Sequence, residues 1–177
     1  KAILIADNSP IKISKININL HLTKFLKKEN SIKNITIKSS NNLIKDVTSF
    51  LNVIDFNLAR YVFYSQINKG LLNFELNAKF DNLSQDIKSY IISGSVNNAK
   101  LNIPGYENLD DINFNFHTQD KITKITNLKF IYEEIGFLSE SLQVKHEKLD
   151  TYYVNGDIQN TKALISPNLI FKLLNIK

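Results

Sequence analysis

The stretch that decides the fold is residues 72–80, LNFELNAKF, in which apolar and polar residues alternate without a break. Successive side chains of a β-strand point to opposite faces of the sheet, so this strand has one apolar face and one polar face. Such alternation is typical of an antiparallel sheet that is covered on one side and wet on the other. We therefore predict a mostly β (α+β) protein built on an antiparallel sheet.

Shorter period-two runs lie on both sides of this strand. They recur about every ten residues toward the C-terminus, as strands connected by hairpins do. The residues between Ile11 and Leu20 alternate with a one-residue slip, which predicts a β-bulge. Lys69-Gly70 is predicted to be a turn, and residues 81–86 are predicted to be a polar loop. The predicted strands are residues 2–6, 11–20, 32–37, 61–67, 72–80, 90–103, 112–116, 122–132, 138–144 and 152–158.

Helical spacing is clearest in residues 43–54, where apolar residues recur at i, i+3, i+4 and i+7. The spacing predicts a short helix there, and Ser166-Pro167 predicts the start of a C-terminal helix. Residues 22–28 are expected to make one helical turn with Phe25 and Leu26 facing inward. This gives a small α/β segment at 1–57 and an antiparallel meander with a C-terminal helix at 58–177, or one continuous module.

Charge and composition exclude several classes of function. The net charge is +5, but Arg60 is the only arginine and the lysines are scattered, which argues against a nucleic-acid partner. Weak attraction to an anionic membrane surface stays open. With no cysteine, the chain has no disulfide, thiolate metal site or cysteine nucleophile. Because the chain begins with Lys1, we expect a fragment whose membrane anchor or export signal lies elsewhere.

The titratable residues do not form a recognisable catalytic or metal site. His21, His117 and His146 lack the spacing of a metal pair. Asp110-Asp111 and Glu133-Glu134 are adjacent pairs, and neighbours on a strand point to opposite faces, so neither pair predicts an acid/base dyad. We therefore expect no catalytic residues, no metal and no cofactor.

The apolar faces of the strands are the remaining candidate for function. They could form an ordinary core, packed by another sheet or by helices. Alternatively, the curved sheet could leave a groove for lipid acyl chains, whose transfer from water contributes about 0.8 kcal/mol per buried CH₂. The candidate lipid-facing residues are Leu72, Phe74, Leu76, Ala78, Phe80, Tyr90, Ile92, Ile112, Phe114, Phe116, Leu128, Phe130, Leu142 and Val144.

The order of these segments resembles the AsmA-like family, which includes the TamB and YhdP type proteins. The resemblance is carried by strand–turn–strand residues 11–40, the helical stripe at 43–54, and QINKGLLNFELNAKFD at 66–81. It continues through YIISGSVNNAKLNIPGYENLDDINFNFHT at 90–118 and the strands of 125–160. Each piece is a pattern of alternation, and together they cover most of the chain in the family's order.

The resemblance implies an elongated, curved antiparallel sheet that forms a groove. It also implies a non-enzymatic module of a periplasmic protein, anchored in the inner membrane of a diderm bacterium. Such a module would shield phospholipid tails on their way to the outer membrane, beside further modules of the same polypeptide. Its membrane contact would come from parts outside this fragment. Two alternatives remain at this point: a structural or protein-interaction domain with a closed core, and, ranked last, a carbohydrate-active enzyme, for which no convincing carboxylate pair is present.

Overall fold

The fold is that of a computed structural model, which describes residues 2–6, 9–27, 31–47, 67–81, 84, 86–102, 108–119, 122–147, 151–161, 167 and 171. The described residues form one antiparallel sheet of eleven strands. The strands are β1 (Ala2–Ala6), β2 (Ser9–Leu20), β3 (Ile32–Ser39), β4 (Asn42–Leu43), β5 (Ile67–Phe80), β6 (Ile87–Leu101), β7 (Leu109–Gln119), β8 (Ile122–Tyr132), β9 (Ile135–His146), β10 (Tyr152–Gly156) and β11 (Gln159–Asn160). One short helix, α1 (Leu22–Leu26), follows β2.

The sheet is an open meander in which most strands that are adjacent in sequence pair with each other. Its order is β1-β2-β3-β5-β6-β7-β8-β9-β10, with β4 beside β5 and β11 beside β9. The strands of the two predicted segments share this sheet, because β3 pairs with β5 from Asn34↔Lys79 to Lys38↔Glu75. The prediction of a mostly β, antiparallel fold is confirmed.

The end of the sheet that carries α1, where β2, β5, β7 and β9 finish, is called the α1 end below. The opposite end carries the tight connection between β8 and β9 and is called the hairpin end. There Tyr132 pairs with Ile135, and the two residues between them, Glu133 and Glu134, have φ values of 46° and 66°. Two consecutive positive φ values define the type I′ turn that matches the twist of the flanking strands.

Several local predictions can be compared with the structure. The slip in β2 is confirmed as a bulge, because Ile13 pairs with Ser39 and Lys15 with Lys38, which leaves Ser14 as the extra residue. The helix predicted at 43–54 has helical backbone at 44–47, while Leu43 belongs to β4 and residues 48–54 lie outside the described part. Of the predicted C-terminal helix, Pro167 and Phe171 have helical backbone and the remaining residues are not described.

Two predictions were wrong. Lys69-Gly70 is not a turn, because both residues lie inside β5. Gly70 instead allows a close approach: a Cβ built on it would be 2.7 Å from Cδ1 of Ile44 and 2.9 Å from Cα of Ala99. Phe25 and Leu26 do not face inward, since they are 54% and 73% exposed and α1 has no buried residue.

Bulges with left-handed backbone shape the middle of the sheet. Asn98 in β6, Asp111 in β7 and Asn127 in β8 have φ values of 51°, 49° and 54°. Each lies at a register shift. Asn98 lies between Val96 and Ala99, and Asp111 lies between Asp110 and Asn113. Asn127 lies between Thr126 and Lys129, the partners of Asn115 and Asn113. Because a bulge bends its strand and increases the local twist, bulges on three successive strands coil the sheet there. Asn and Asp adopt this conformation more readily than other non-glycine residues.

The core lies against one face of the sheet. It joins Ile11 and Ile13 of β2, Ile44 and Val47 of the helical turn, and the apolar residues of β5, β6 and β7. The alternation in β5 therefore has the predicted consequence: Leu72, Phe74, Leu76 and Ala78 are 2 to 5% exposed.

Candidate functional site: the apolar face of the sheet

Strand register brings the candidate residues together on one face, which is called the apolar face below. One row runs from Ile16 through Ile37 and Leu76 to Ile92. It continues through Thr118 and Thr123 to Val144 and Val154. A second row joins Phe74, Gly94, Phe116, Ile125 and Leu142. The predicted set therefore forms one surface rather than separate patches on different sides.

The centre of the apolar face is packed by the chain's own side chains. Val96 is fully buried and Ile92 is 1% exposed, in a cluster with Ile44 and Val47. Burial extends to the β9 side, where Leu142 and Val144 are 7% and 8% exposed. The candidates that are only half-buried are Phe80, Tyr90, Phe114, Phe116, Leu128 and Phe130. Hence a ligand could reach those six residues more readily than the buried candidates of the same face.

A buried polar pair interrupts this apolar surface. Thr118 and Thr123 are 2% and 5% exposed, and their Oγ1 atoms are 2.9 Å apart. Each hydroxyl thereby has the hydrogen-bond partner that burial requires. The sequence patterns that marked β7 and β8 did not predict this contact, because neither threonine fits the apolar alternation.

The side of the apolar face along β2 is exposed. Ile16, Ile18 and Leu20 are 43%, 53% and 43% exposed, although register places them in line with Ile37, Ile35 and Ile32 of β3. These three residues are called the β2 margin below. β1 pairs only with residues 9–13 of β2, so the margin lies on the part of β2 that has one partner strand among the described residues.

Sequence reasoning identified the strand that holds the β2 margin but left its residues out of the candidate set. The signal was present, since Ile16, Ile18 and Leu20 alternate with polar residues in the same way as residues 72–80. Alternation does not show where a strand lies in the sheet. The position of β2 near one side of the sheet follows from the strand order.

The opposite face of the sheet is polar and joined by side-chain contacts. Nζ of Lys38 lies 2.7 Å from Oε2 of Glu75, and Oγ1 of Thr36 donates to Oδ1 of Asn77 at 2.7 Å. Farther along, Nδ2 of Asn73 donates to Oγ of Ser95 at 2.9 Å. The Lys38 ammonium, which hydrogen-bonds the Glu75 carboxylate, lowers the pKa of that carboxyl. This face is therefore lined mainly by half-buried polar side chains that hydrogen-bond or pair with one another.

The adjacent carboxylates and the possible metal ligands can be placed within the described part of the chain. No group of three or more His, Asp or Glu residues there could hold a metal ion. Asp110 pairs with Lys100 at 2.8 Å, and its neighbour Asp111 occupies a bulge with left-handed backbone. The glutamates of the other adjacent pair form the turn at the hairpin end. Both pairs have structural roles that account for their positions.

Comparison with known proteins adds no relative. No family model, no curated protein and no solved structure matches this chain. Among the described residues, no helix has both the length and the apolar character needed to cross a bilayer. Function must therefore be argued from the apolar face itself.

Proposed function

We propose that this chain is a non-enzymatic lipid-handling module of an AsmA-like periplasmic protein, whose apolar face shields phospholipid acyl chains in transit between the inner and outer membranes. In this proposal the full-length protein is anchored in the inner membrane and contains further modules of the same kind. The observation that carries it is the exposed β2 margin, an apolar row that continues the buried core into solvent.

The β2 margin has the chemistry that an alkyl chain requires. Alternate residues on one face of a strand are about 6.6 Å apart, so Ile16, Ile18 and Leu20 offer a continuous apolar strip about 13 Å long. Ile35, Ile37 and Tyr90, half-buried behind this strip, extend it toward the core. Each methylene that leaves water along the strip contributes about 0.8 kcal/mol, and no polar group is needed to position it.

The packed centre favours a second candidate function. Because Ile92, Val96 and Ala99 are at most 1% exposed, the middle of the sheet is a closed core in its own right. A structural or protein-interaction domain needs nothing more than such a core. The two functions make different demands on the β2 margin: a lipid module uses it to hold a tail, whereas a structural domain does not.

Photocrosslinking distinguishes a lipid-handling module from a structural or protein-interaction domain. A benzophenone amino acid placed at Ile18 should crosslink to a phospholipid acyl chain when the cells that make the protein are irradiated. The matched control is the same replacement at Ile131, which is 37% exposed and lies between the apolar-face residues Phe130 and Tyr132, so that it points to the polar face. Mass spectrometry of the purified protein then identifies the attached lipid.

Phospholipid attached at position 18 and not at position 131 supports the lipid-handling proposal. Equal attachment at both positions indicates nonspecific contact with lipid, and protein adducts without lipid at position 18 favour the interaction domain. Either of these two results overturns the lipid-handling proposal.

A further inference from the structure

The helix α1 presents apolar side chains to solvent directly after the β2 margin. Leu22, Phe25 and Leu26 are 69%, 54% and 73% exposed, and the helix buries no residue. A helix of this length has little intrinsic stability and is held by the chain around it. Large apolar side chains concentrated in this way, next to an already exposed apolar margin, mark an interaction surface.

Exposed lysines lie along the α1 end of the sheet, next to α1 and on the strands beyond it. Lys27 follows α1, Lys33 lies near the start of β3, Lys79 near the end of β5, Lys88 near the start of β6, and Lys124 near the start of β8. All of them are exposed, and none forms a salt bridge with another described residue. Exposed carboxylates described at the same end are Asp86 and Glu147, and Glu147 pairs with Lys145 at 3.3 Å.

The hairpin end has mixed charge. Glu133 and Glu134 form its turn and Asp111 is exposed in β7, but Lys69 and Lys129 are exposed toward the same end. The exposed lysines of the α1 end outnumber its exposed carboxylates, and the exposed apolar helix lies beside them. An anionic surface would therefore attract the α1 end more strongly than the hairpin end, which favours one orientation.

We infer that α1 and the lysines at its end of the sheet form a docking surface for an anionic lipid bilayer. Leu22, Phe25 and Leu26 enter the boundary between headgroups and acyl chains, while the lysines remain at the level of the anionic headgroups. A bilayer satisfies both requirements at once, since it offers hydrocarbon directly beneath negative charge. The inference goes beyond the proposed function, because a chain could dock in this way without taking up a lipid tail.

Vesicle flotation tests the inference with the full chain. The protein should float with vesicles of phosphatidylcholine and phosphatidylglycerol at 7:3, and much less with phosphatidylcholine alone. Raising the salt concentration should weaken flotation because screening reduces the attraction of the lysines. The triple substitution Leu22→Ser, Phe25→Ser and Leu26→Ser should reduce the fraction bound at least tenfold, while the melting temperature stays near that of the unchanged protein.

Matched controls distinguish a specific surface from general stickiness. Leu43→Ser with Ile158→Ser removes apolar groups that are 46% and 54% exposed and lie away from the α1 end, next to the starts of β5 and β9, and should leave flotation unchanged. Lys27→Glu should weaken binding about fivefold or more, since a lysine near an anionic surface is worth about that factor. Lys129→Glu, an exposed lysine on β8 nearer the hairpin end, should have little effect.

Three results would overturn the inference. One is flotation of the α1 variant equal to that of the unchanged protein. The second is equal binding to neutral and anionic vesicles. The third is a dimer in light scattering that the α1 substitutions convert to a monomer, which would assign the surface to a second copy of the chain. Crosslinking of lipid tails at Ile18 is measured separately, so failure of docking and failure of lipid handling are distinguishable.

Discussion

Two isoleucines on the apolar face should respond very differently to truncation. Ile92 is 1% exposed and pairs with Leu76 and Thr118 in the closed centre, whereas Ile18 is 53% exposed on the β2 margin. Ile92→Ala removes buried methyl groups and leaves a cavity, so it should lower the free energy of unfolding by about 2–5 kcal/mol. Ile18→Ala gives up only about half of a burial contribution of roughly 1.5–3 kcal/mol, so it should cost about 1 kcal/mol.

Urea unfolding followed by far-ultraviolet circular dichroism measures both values, because the chain has no tryptophan to report on folding. For a loss of about 3 kcal/mol and a slope of about 2 kcal/mol per molar urea, the midpoint for Ile92→Ala should fall by about 1.5 M. The midpoint for Ile18→Ala should fall by about 0.5 M on the same slope. Similar losses for the two variants would refute the division of the apolar face into a packed centre and an exposed margin.

Three further substitutions test individual features of the sheet. Gly94→Ala should destabilise the fold by roughly 1–3 kcal/mol in the same urea assay, because the new Cβ would collide with the Asn73 carbonyl oxygen and lie 2.9 Å from Cζ of Phe116. Asn127→Val should cost about 1–3 kcal/mol, because a β-branched residue resists the φ of 54°, whereas Asn127→Gly should be nearly neutral; equal losses would contradict the bulge. Glu75→Gln should cost at most about 0.5 kcal/mol at pH 7, because the pair with Lys38 is partly exposed. Since the pKa of Glu75 is lowered, the stabilisation from the Glu75–Lys38 pair is present above the unfolded pKa and is lost as pH falls through the folded pKa. A cost of the substitution that grows toward pH 2 would therefore contradict the pair.

Alternation predicted most of the sheet because each strand has to reconcile a covered face with a solvated one. Residues 72–80 and 122–132 show this best: the first lies wholly within β5, and the second has the bounds of β8. The slip between Ile13 and Ile16 predicted a bulge between them, since one extra residue restores the apolar side chains to the same face, and strand register identifies Ser14 as that residue.

Long-range packing was not predictable from the same patterns. Gly70 resembled a turn residue, but its role depends on Ile44 and Ala99, which approach it from other elements. Phe25 and Leu26 were expected to be buried because they are apolar. They are exposed because α1 follows the part of β2 that has one partner strand among the described residues, and α1 buries no residue. Burial of a side chain depends on which other elements pack against its strand or helix. Sequence periodicity does not show which elements those are.

The sequence predicted that the candidate residues share one face of the sheet, but it did not predict which residues of that face are exposed. The residues selected from sequence do share one surface, because register aligns β5 to β9 without turning any strand over. The selection followed the most regular alternation, and such residues are the ones most completely buried, as Leu76 and Ile92 are. The most exposed residues of this face lie near the two sides of the sheet: Ile18 of β2 is 53% exposed and Val154 of β10 is 65% exposed.

The most direct test of the central claim is a paramagnetic broadening experiment on isoleucine methyl groups, with a fatty acid that carries a nitroxide near its tail end. If the β2 margin takes acyl chains, the methyl signals of Ile16 and Ile18 should broaden at the lowest ligand concentrations. Ile122 and Ile131, each 37% exposed on the polar face, should stay sharp and serve as internal controls. Uniform broadening of all four signals, or none at the β2 margin, would contradict the account.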